Sequence, residues 1–220
     1  PGMRSTDFAP GASRPVIRGL SGPRVQVLTN GIGLIDASSV SPDHAVATDP
    51  AEANRIEIIR GPATLIYGGS AIGGVVNVLD DRIPTEQPEG GIDGVLSTQV
   101  SSVDNGRGGF GRVTVGAGSF AFTLDGVRRT TDDYDIPAPA LSRRLAEAEG
   151  VARGDETEQP NSATDLTAWG VGGSWIGDKG FLGLSYKTTD SEYGTVAEPT
   201  VFIDLNQDRY DLRGEYRFDQ

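Results

Sequence analysis

The sequence predicts a mainly β protein in which a small α+β module is followed by a run of antiparallel strands. Three observations favour this class. Glycine accounts for 31 of the 220 residues, and tight turns rely on glycine. The 3.6-residue apolar periodicity of amphipathic helices is largely missing. Near the C-terminal end, aromatic or aliphatic residues alternate with charged ones over ten positions, which is the pattern of a strand with two different faces.

The composition excludes several classes of protein. The formal net charge of −12 argues against a nucleic-acid partner, because nucleic-acid binders present a basic face. The absence of cysteine excludes a disulfide framework and a thiolate metal site. No apolar run reaches the roughly 18 residues of a transmembrane helix. The chain begins at Pro1 without a signal peptide, and we therefore expect a trimmed end or a fragment.

Residues 55–84 form the predicted centre of the first module. Residues 55–59 alternate between charged and apolar side chains, as in a half-buried strand. Pro62 suits the first position of a short helix, since its missing N–H would be unpaired there. Gly68 is placed to end that helix, and the glycine pair at 73–74 turns the chain into a second, apolar strand.

Polar residues separate this module from the rest of the chain. Residues 85–91 contain no core-forming run, and we place the domain boundary there, with the first domain at 1–88 and the second at 89–220. Two short strands and a polar loop precede the central unit, at 16–20, 24–29 and 32–50.

The second domain is predicted to contain about six strands, and their faces are informative. In the last strand, aromatic and aliphatic side chains share one face, and the opposite face carries Arg209, Asp211, Arg213, Glu215 and Arg217. A soluble sandwich would bury the aromatic face, whereas a barrel with an aqueous lumen would turn it toward lipid. The alternation alone allows both arrangements. The predicted strands are 95–103, 109–117, 120–129, 166–176, 181–189 and 203–218.

Connector lengths favour the barrel. Short turns at 116–119 and 177–180 alternate with longer polar connections at 130–165 and 190–202. Short turns on one side and long loops on the other are typical of outer-membrane barrels.

The central unit resembles a known family. Residues 55–62 (RIEIIRGP), 65–68 (LIYG) and 71–78 (AIGGVVNV) closely resemble the plug domain of TonB-dependent outer-membrane receptors, and residues 16–20 and 24–31 resemble that family's earlier plug strands. The resemblance implies a 22-stranded transmembrane barrel closed by the plug. It also implies a location in the outer membrane of a Gram-negative bacterium, in contact with lipid, and import energised through TonB and its inner-membrane complex. No TonB box is recognisable and only about six barrel strands are present, so we expect a fragment of a longer receptor.

The resemblance also implies which residues matter in the plug. Its motif residues and expected contacts with the barrel are Arg55, Glu57, Arg60, Gly61, Pro62, Tyr67, Gly68, Gly73 and Gly74. We expect the three charged ones to pair with groups on the barrel wall, including the charges at 209–217, and so to hold the plug until TonB pulls.

A narrower resemblance concerns the polar loop. Residues 41–46 (SPDHAV) and parts of 193–215 are similar to the zinc-uptake branch of these receptors. That similarity implies Asp43 and His44 as metal ligands. Imidazole beside a carboxylate suits zinc, but a zinc site normally needs four ligands. The alternative is a solvated loop histidine.

The expected function is therefore import of a scarce nutrient by binding and transport. Zinc or another metal is one cargo, and a siderophore, haem or cobalamin is the alternative. A secreted β-rich adhesin or binding module is the alternative of another class. No enzyme activity is expected, because the sequence has a single histidine and no recognisable nucleophile–base pair. No cofactor is required, and zinc or a metal chelate would be the transported ligand.

Overall fold

The computed structural model describes residues 2–34 and 36–218, and the elements within them are mainly strands. The strands are β1 Met3–Ser5, β2 Pro15–Ile17, β3 Val25–Thr29, β4 Ile32–Gly33, β5 Arg55–Ile59, β6 Gly74–Leu79, β7 Ile92–Val100, β8 Arg107–Ala117, β9 Phe120–Thr131, β10 Thr164–Gly177, β11 Gly180–Thr195 and β12 Glu198–Tyr216. One α-helix, α1 Arg143–Glu149, lies among the described residues, with short 3-10 helices at Gly22–Arg24, Ala37–Ser39, Pro50–Glu52, Gly61–Tyr67, Gly69–Ala71 and Glu89–Gly91. The predicted mainly β class is confirmed.

The first domain is built on a four-stranded mixed sheet in the order β4-β3-β6-β5. Strand β6 lies parallel to β3 and antiparallel to β5. Its sequence, GVVNVL, is apolar at most positions and is buried along almost its whole length, as expected for a central strand covered on both faces. Val76 packs with Ile17 and Val25 on one side, and Val75 packs with Leu28 and Ala71 on the other.

The glycine pair between the 3-10 helices and β6 allows close packing. A Cβ on Gly73 would lie 2.8 Å from the carbonyl oxygen of Arg24, and one on Gly74 would lie 2.6 Å from Cδ1 of Ile17. Gly74 also has a φ of +147°, which side chains disfavour. Both glycines let the chain enter β6 directly against the preceding strands.

The second domain is a six-stranded antiparallel sheet in the described residues, and each strand pairs with its sequence neighbour in the order β7 to β12. Tight two-residue turns join β8 to β9 and β10 to β11, as predicted. The longer connection predicted at 190–202 is wrong. Strands β11 and β12 remain paired as far as Gly194 and Phe202, because backbone pairing continues past the apolar part of the strands, with a bulge beside Thr195.

The long connection between β9 and β10 contains a helix that the sequence analysis missed. Helix α1 begins after Ser142, whose side chain accepts a hydrogen bond from the Leu145 N–H, and it ends at Gly150 in the left-handed conformation. The two caps and the sequence RRLAEAE between them favour a short helix. Among residues 2–34 and 36–218, no helix has the length and apolar character needed to cross a membrane.

The two faces of the six-stranded sheet are reversed relative to those of a soluble sheet. The face against the first domain carries buried polar side chains, among them Thr123, Asp125, Ser174, Ser185 and Lys187. The opposite face exposes large apolar side chains, among them Phe122, Leu124, Trp175, Leu184 and Leu212. A sheet that hides polar groups and exposes apolar ones suits lipid outside and a polar lumen inside. This arrangement supports the barrel over the soluble sandwich.

The exposed apolar face has defined upper and lower limits. The rings of Trp169, Tyr186 and Tyr210 contact one another along one limit, with ring centroids 5.6 and 5.0 Å apart. Beyond them the outer row of the sheet becomes polar. Trp175 lies near the opposite limit, beside the two-residue turn. From Trp169 to Gly177 the strand measures about 26 Å at about 3.3 Å per residue. This stretch of nine residues agrees with the roughly 9 to 11 residues of a tilted transmembrane strand.

A charge placed in the middle of this band tests the orientation of the sheet. We expect Leu184→Arg in the full-length receptor to reduce the free energy of unfolding from a bilayer by about 2 to 4 kcal/mol. Leu184 is 65% exposed on the outer face, so a soluble sheet would tolerate this change. Asn206→Arg, in the polar row beyond the band, is the matched control and is expected to have little effect. Equal effects of the two substitutions in denaturant titrations would contradict the orientation.

Candidate functional site: the contact between plug and wall

A buried cluster of five charged side chains joins the first domain to the inner face of the sheet. Arg82, which follows β6 and is 2% exposed, donates from Nε and Nη2 to both carboxylate oxygens of Asp125 on β9, at 2.7 and 2.8 Å. Its Nη1 donates to Asp80 at 2.7 Å, and Nη2 also reaches Glu52 at 3.1 Å. Lys187 of β11 donates to Glu52 at 2.7 Å. Charged groups of the first domain are therefore paired with oppositely charged groups of the second domain.

Burial and the neighbouring charges shift pKa values within the cluster in opposite directions. Burial raises the pKa of Glu52, and Lys187 and Arg82 offset only part of that effect. Burial also opposes ionisation of Asp80, but Arg82 and a hydrogen bond from Asn30 outweigh it and lower the pKa of Asp80. Burial works against the charge on Arg82 as well, yet its carboxylate neighbours raise the pKa of Arg82. Arg82 is thus a permanent cation surrounded by acceptors.

Glycines on the inner face of the six-stranded sheet, which we call the wall, make room for the segment that carries Arg82. A Cβ on Gly172 of β10 would lie 2.0 Å from the carbonyl oxygen of Arg82, and one on Gly170 would lie 2.3 Å from its Nε. On β11, a Cβ on Gly183 would lie 2.4 Å from Cγ2 of Ile83. These three glycines form a strip on the inner face against which the end of the first domain lies.

Two further contacts attach the first domain to the wall. The Arg129 guanidinium of β9 lies 2.7 Å from the buried carboxylate of Asp49. Arg112 of β8 donates to the carbonyl oxygen of Asp80 at 2.8 Å. Both arginines lie on the same strands that carry, or neighbour, Asp125, so the contact extends along the wall.

Tyr193 of β11 anchors the polar loop of the first domain. It is 1% exposed and packs with Ala9 and Ala12. A Cβ on Gly11 would lie 2.4 Å from its ring. Its hydroxyl accepts a hydrogen bond from the Ala45 N–H at 2.7 Å. The loop that contains Asp43 and His44 is therefore fixed to the end of a barrel strand.

The structure brings Asp43 and His44 together. His44 Nδ1 lies 3.0 Å from Asp43 Oδ1, and the Ser41 hydroxyl is hydrogen-bonded to the same oxygen. The hydrogen bond from Ser41, followed by that from His44, lowers the pKa of Asp43. Within the described residues, no group of three or more metal-ligating side chains is assembled. Metal binding by this pair stays a prediction.

The charges of the plug motif lie on strand β5 and directly after it. Arg55 Nη2 lies 2.7 Å from Glu57 Oε1 on the same strand, and Glu57 also accepts a hydrogen bond from Asn77. Strand β5 is at the edge of the first sheet, and Arg55 is 67% exposed there. Arg60 is the residue that precedes the 3-10 helix Gly61–Tyr67. Among the described contacts Arg82 binds the wall, and the expected pairing of Arg55, Glu57 and Arg60 with groups on the barrel wall stays a prediction.

The charges predicted to face the lumen from β12 are partly engaged with the plug. Arg209 donates to the carbonyl oxygen of Thr29 at 3.2 Å and to Asp211 at 2.9 Å. The remaining three have contacts within the second domain: Arg213 lies over the Phe181 ring at 5.7 Å, and Glu215 accepts from Arg217 at 2.8 Å.

None of the five members of the Arg82 cluster was predicted from the sequence, although two had a readable signal. Asp125 and Lys187 are charged residues on strands whose neighbours two positions away are Thr123 and Ser185. This polar set alternates with apolar side chains and therefore marks the inner face. Glu52, Asp80 and Arg82 lie outside strands, where no periodicity indicates burial.

The comparisons with known proteins agree with this geometry. Residues 1–75 match the family model of the TonB-dependent Receptor Plug Domain. The ferric enterobactin receptor PirA of Pseudomonas aeruginosa is 35% identical over 113 aligned residues, which cover 48% of this chain and 15% of that protein.

Solved structures show the same fold. The copper transporter OprC superposes with a TM-score of 0.72 at 16% identity, over 97% of this chain and 30% of that one. A ferric enterobactin receptor PfeA mutant from Pseudomonas aeruginosa gives 0.70 at 17% identity, over 100% and 35%. The FrpB iron transporter from Neisseria meningitidis gives 0.69 at 14% identity, over 97% and 34%. The chain thus spans about a third of each of these structures.

A domain fixed by buried ion pairs to the polar inner face of an outwardly apolar sheet is the arrangement expected for a plug inside an outer-membrane barrel. Residues 1–75 match the plug-domain family of TonB-dependent receptors, and the described residues share the fold of the solved copper transporter, iron transporter and ferric enterobactin receptor structures. The predicted family and location are confirmed. The boundary between 88 and 89 and the zinc-uptake branch stay predictions.

The glycine strip gives a direct test of how the plug is seated. We expect Gly172→Ala in the full-length receptor to displace the segment at 80–84, because the new methyl group meets backbone that cannot rotate away. Hydrogen exchange of these amides should accelerate by about tenfold or more, the equivalent of about 1.4 kcal/mol. Gly111→Ala on the outer face, where a Cβ would be 3.7 Å from Leu96, is the control. Unchanged exchange in Gly172→Ala would show that the segment does not lie against β10.

Proposed function

We propose that the receptor to which this chain belongs imports a metal chelate across the outer membrane, energised through TonB. The buried Arg82 cluster is the observation that carries this proposal. Its contacts with the wall are non-covalent, so the plug blocks the lumen yet can be moved by force. Ion pairs and close contacts along the glycine strip can be broken and formed again, which is what a movable plug requires.

The class of cargo follows from the relatives. PirA is a ferric enterobactin receptor, and FrpB and OprC are named as iron and copper transporters. A ferric siderophore is therefore the cargo that we propose first. The protein would act without a cofactor and without catalysis, and the metal would be bound only as part of the transported ligand.

Zinc is the second candidate, and one observation favours it. The Asp43–His44 pair lies on a plug loop that Tyr193 fixes to the end of β11, so that two compatible zinc ligands are held in place. Two more ligands would be needed to complete a tetrahedral site.

Growth of a deletion strain distinguishes these cargoes. We expect the strain to grow poorly when ferric enterobactin is the sole iron source and to be restored by the full-length gene only when TonB is present. His44→Ala should leave this growth unchanged. Zinc as the cargo predicts the reverse, with a defect under zinc limitation and loss of rescue by His44→Ala. Normal growth under both limitations would contradict metal import.

A further inference from the structure

The turn between β3 and β4 carries the sequence Asn30-Gly31 and lies beside the Arg82 cluster. Thr29 pairs with Ile32 across the turn, and both turn residues have positive φ, +52° at Asn30 and +82° at Gly31. Asparagine followed by glycine is the pair that such a two-residue hairpin turn prefers. The same pair also favours loss of the asparagine side-chain amide, because glycine has no Cβ to hinder attack by its own nitrogen.

The side chain of Asn30 is held by Asp80. Its Nδ2 donates to Asp80 Oδ1 at 2.9 Å, and its Oδ1 accepts from the Asp80 N–H at 3.2 Å. Asp80 is 5% exposed, and its other carboxylate oxygen accepts from Arg82 at 2.7 Å. Asn30 is therefore joined through one residue to the contact between plug and wall.

The backbone nitrogen that would attack Asn30 is also engaged. The Gly31 N–H donates to Oδ1 of Asn77 at 2.8 Å, and Asn77 lies in the buried central strand β6. Ring closure between the Gly31 nitrogen and Asn30 Cγ requires the side chain to leave Asp80 and the N–H to leave Asn77. The seated plug therefore protects this pair, and a plug that opens at this turn exposes it to reaction.

Loss of the Asn30 amide would place a carboxylate directly opposite Asp80. An acceptor oxygen would replace the Nδ2 donor at 2.9 Å from Asp80 Oδ1, and two like charges this close repel each other strongly where water is scarce. The cluster already holds three carboxylates and two cations, namely Glu52, Asp80, Asp125, Arg82 and Lys187. A further carboxylate would increase this excess of negative charge and weaken the contact.

We propose that Asn30-Gly31 is a deamidation site that reacts when the plug opens, and that its product weakens the contact between plug and wall. The nitrogen of Gly31 attacks Cγ of Asn30, the bond from Cγ to Nδ2 breaks, and ammonia leaves with the proton of the Gly31 N–H. Water then opens the cyclic imide to aspartate or isoaspartate. The net reaction consumes a water molecule and releases ammonia. It requires no cargo, so this inference goes beyond the proposed function.

Mass spectrometry of the full-length receptor in detergent at mildly alkaline pH tests the site. Because the reaction is slow compared with opening, the rate at Asn30 equals the open fraction multiplied by the rate in a free peptide of residues 27–33. We expect Asn30 in the wild type to react at least about tenfold more slowly than in the peptide, and Arg82→Gln to accelerate it at least about tenfold. Asn105-Gly106, in the connection between β7 and β8, is the internal control and should react equally in both proteins.

Two results would overturn the site. One is reaction of Asn30 at the peptide rate in the wild type, and the other is an equal rate in the wild type and in Arg82→Gln. If Arg82→Gln does not fold, Asp125→Asn opens the same contact from the wall side and takes its place.

The effect of the product is measured with Asn30→Asp. We expect amide hydrogen exchange at 79–82 to accelerate by about tenfold. Asn30→Gly is the matched control, since it removes the same hydrogen bonds, accommodates the positive φ and adds no charge, and it should accelerate exchange less. Equal exchange in Asn30→Asp and the wild type, or equal effects of the two variants, would contradict the role of the charge. If Asn30→Asp does not fold, the aged wild-type fraction with added negative charge, separated by ion exchange, replaces it.

Receptor isolated from cells with and without TonB separates this inference from the proposed function. Opening by TonB predicts more deamidated Asn30 when TonB is present. Equal amounts, together with acceleration by Arg82→Gln in the purified receptor, would retain the site and reject opening of the plug by TonB.

Discussion

The structure depends on the buried cation Arg82 and on the inner face of the sheet that binds it. Arg82 makes a two-pronged contact with Asp125 and further contacts with Asp80 and Glu52. Such a pair adds little stability compared with a well-packed apolar core, but breaking one side of it costs about 3 to 5 kcal/mol. An interface of this kind is specific in position and can be opened as a unit, which suits a plug that must both seal and move.

The reversed faces of the sheet follow from the same constraint. An inner face that accepts Arg82 must carry Asp125 and Lys187, and it must offer small residues such as Gly170 and Gly172 where the plug lies closest. The outer face is then left for apolar and aromatic side chains. In water this distribution would be unfavourable because a large apolar surface would remain exposed, whereas in a bilayer both faces are satisfied.

Much of the fold could be predicted from the sequence, and the reasons are physical. Strand β9 alternates because its two faces contact different media, and the pattern predicted it to within two residues. The glycine-rich turn before β6 was readable because close packing there excludes a Cβ. Helix α1 was missed because it is short and lies inside a polar connection, and the extension of β11 and β12 was missed because their outer ends leave the apolar band.

The site was less predictable than the fold. Arg55 and Glu57 were chosen because they lie in a recognisable motif, but they pair with each other on an edge strand. Arg82 binds the wall from a position with no periodic pattern, and its importance depends on contacts with Glu52 and Asp125, 30 and 43 residues away in the chain. The inward position of Asp125 could be read from the alternation of its strand, but the pairing with Arg82 could not, because the two residues are far apart in the chain.

A double-mutant cycle between Arg82 and Asp125 in the full-length receptor tests the central claim most directly. The free energy of opening the plug would be measured by hydrogen exchange for Arg82→Gln, Asp125→Asn and the double variant, with Arg55→Gln and Glu57→Gln as the exposed reference pair. The account predicts a coupling of about 2 kcal/mol or more for the buried pair and less than about 1 kcal/mol for the exposed pair. Equal and small couplings for the two pairs would contradict it.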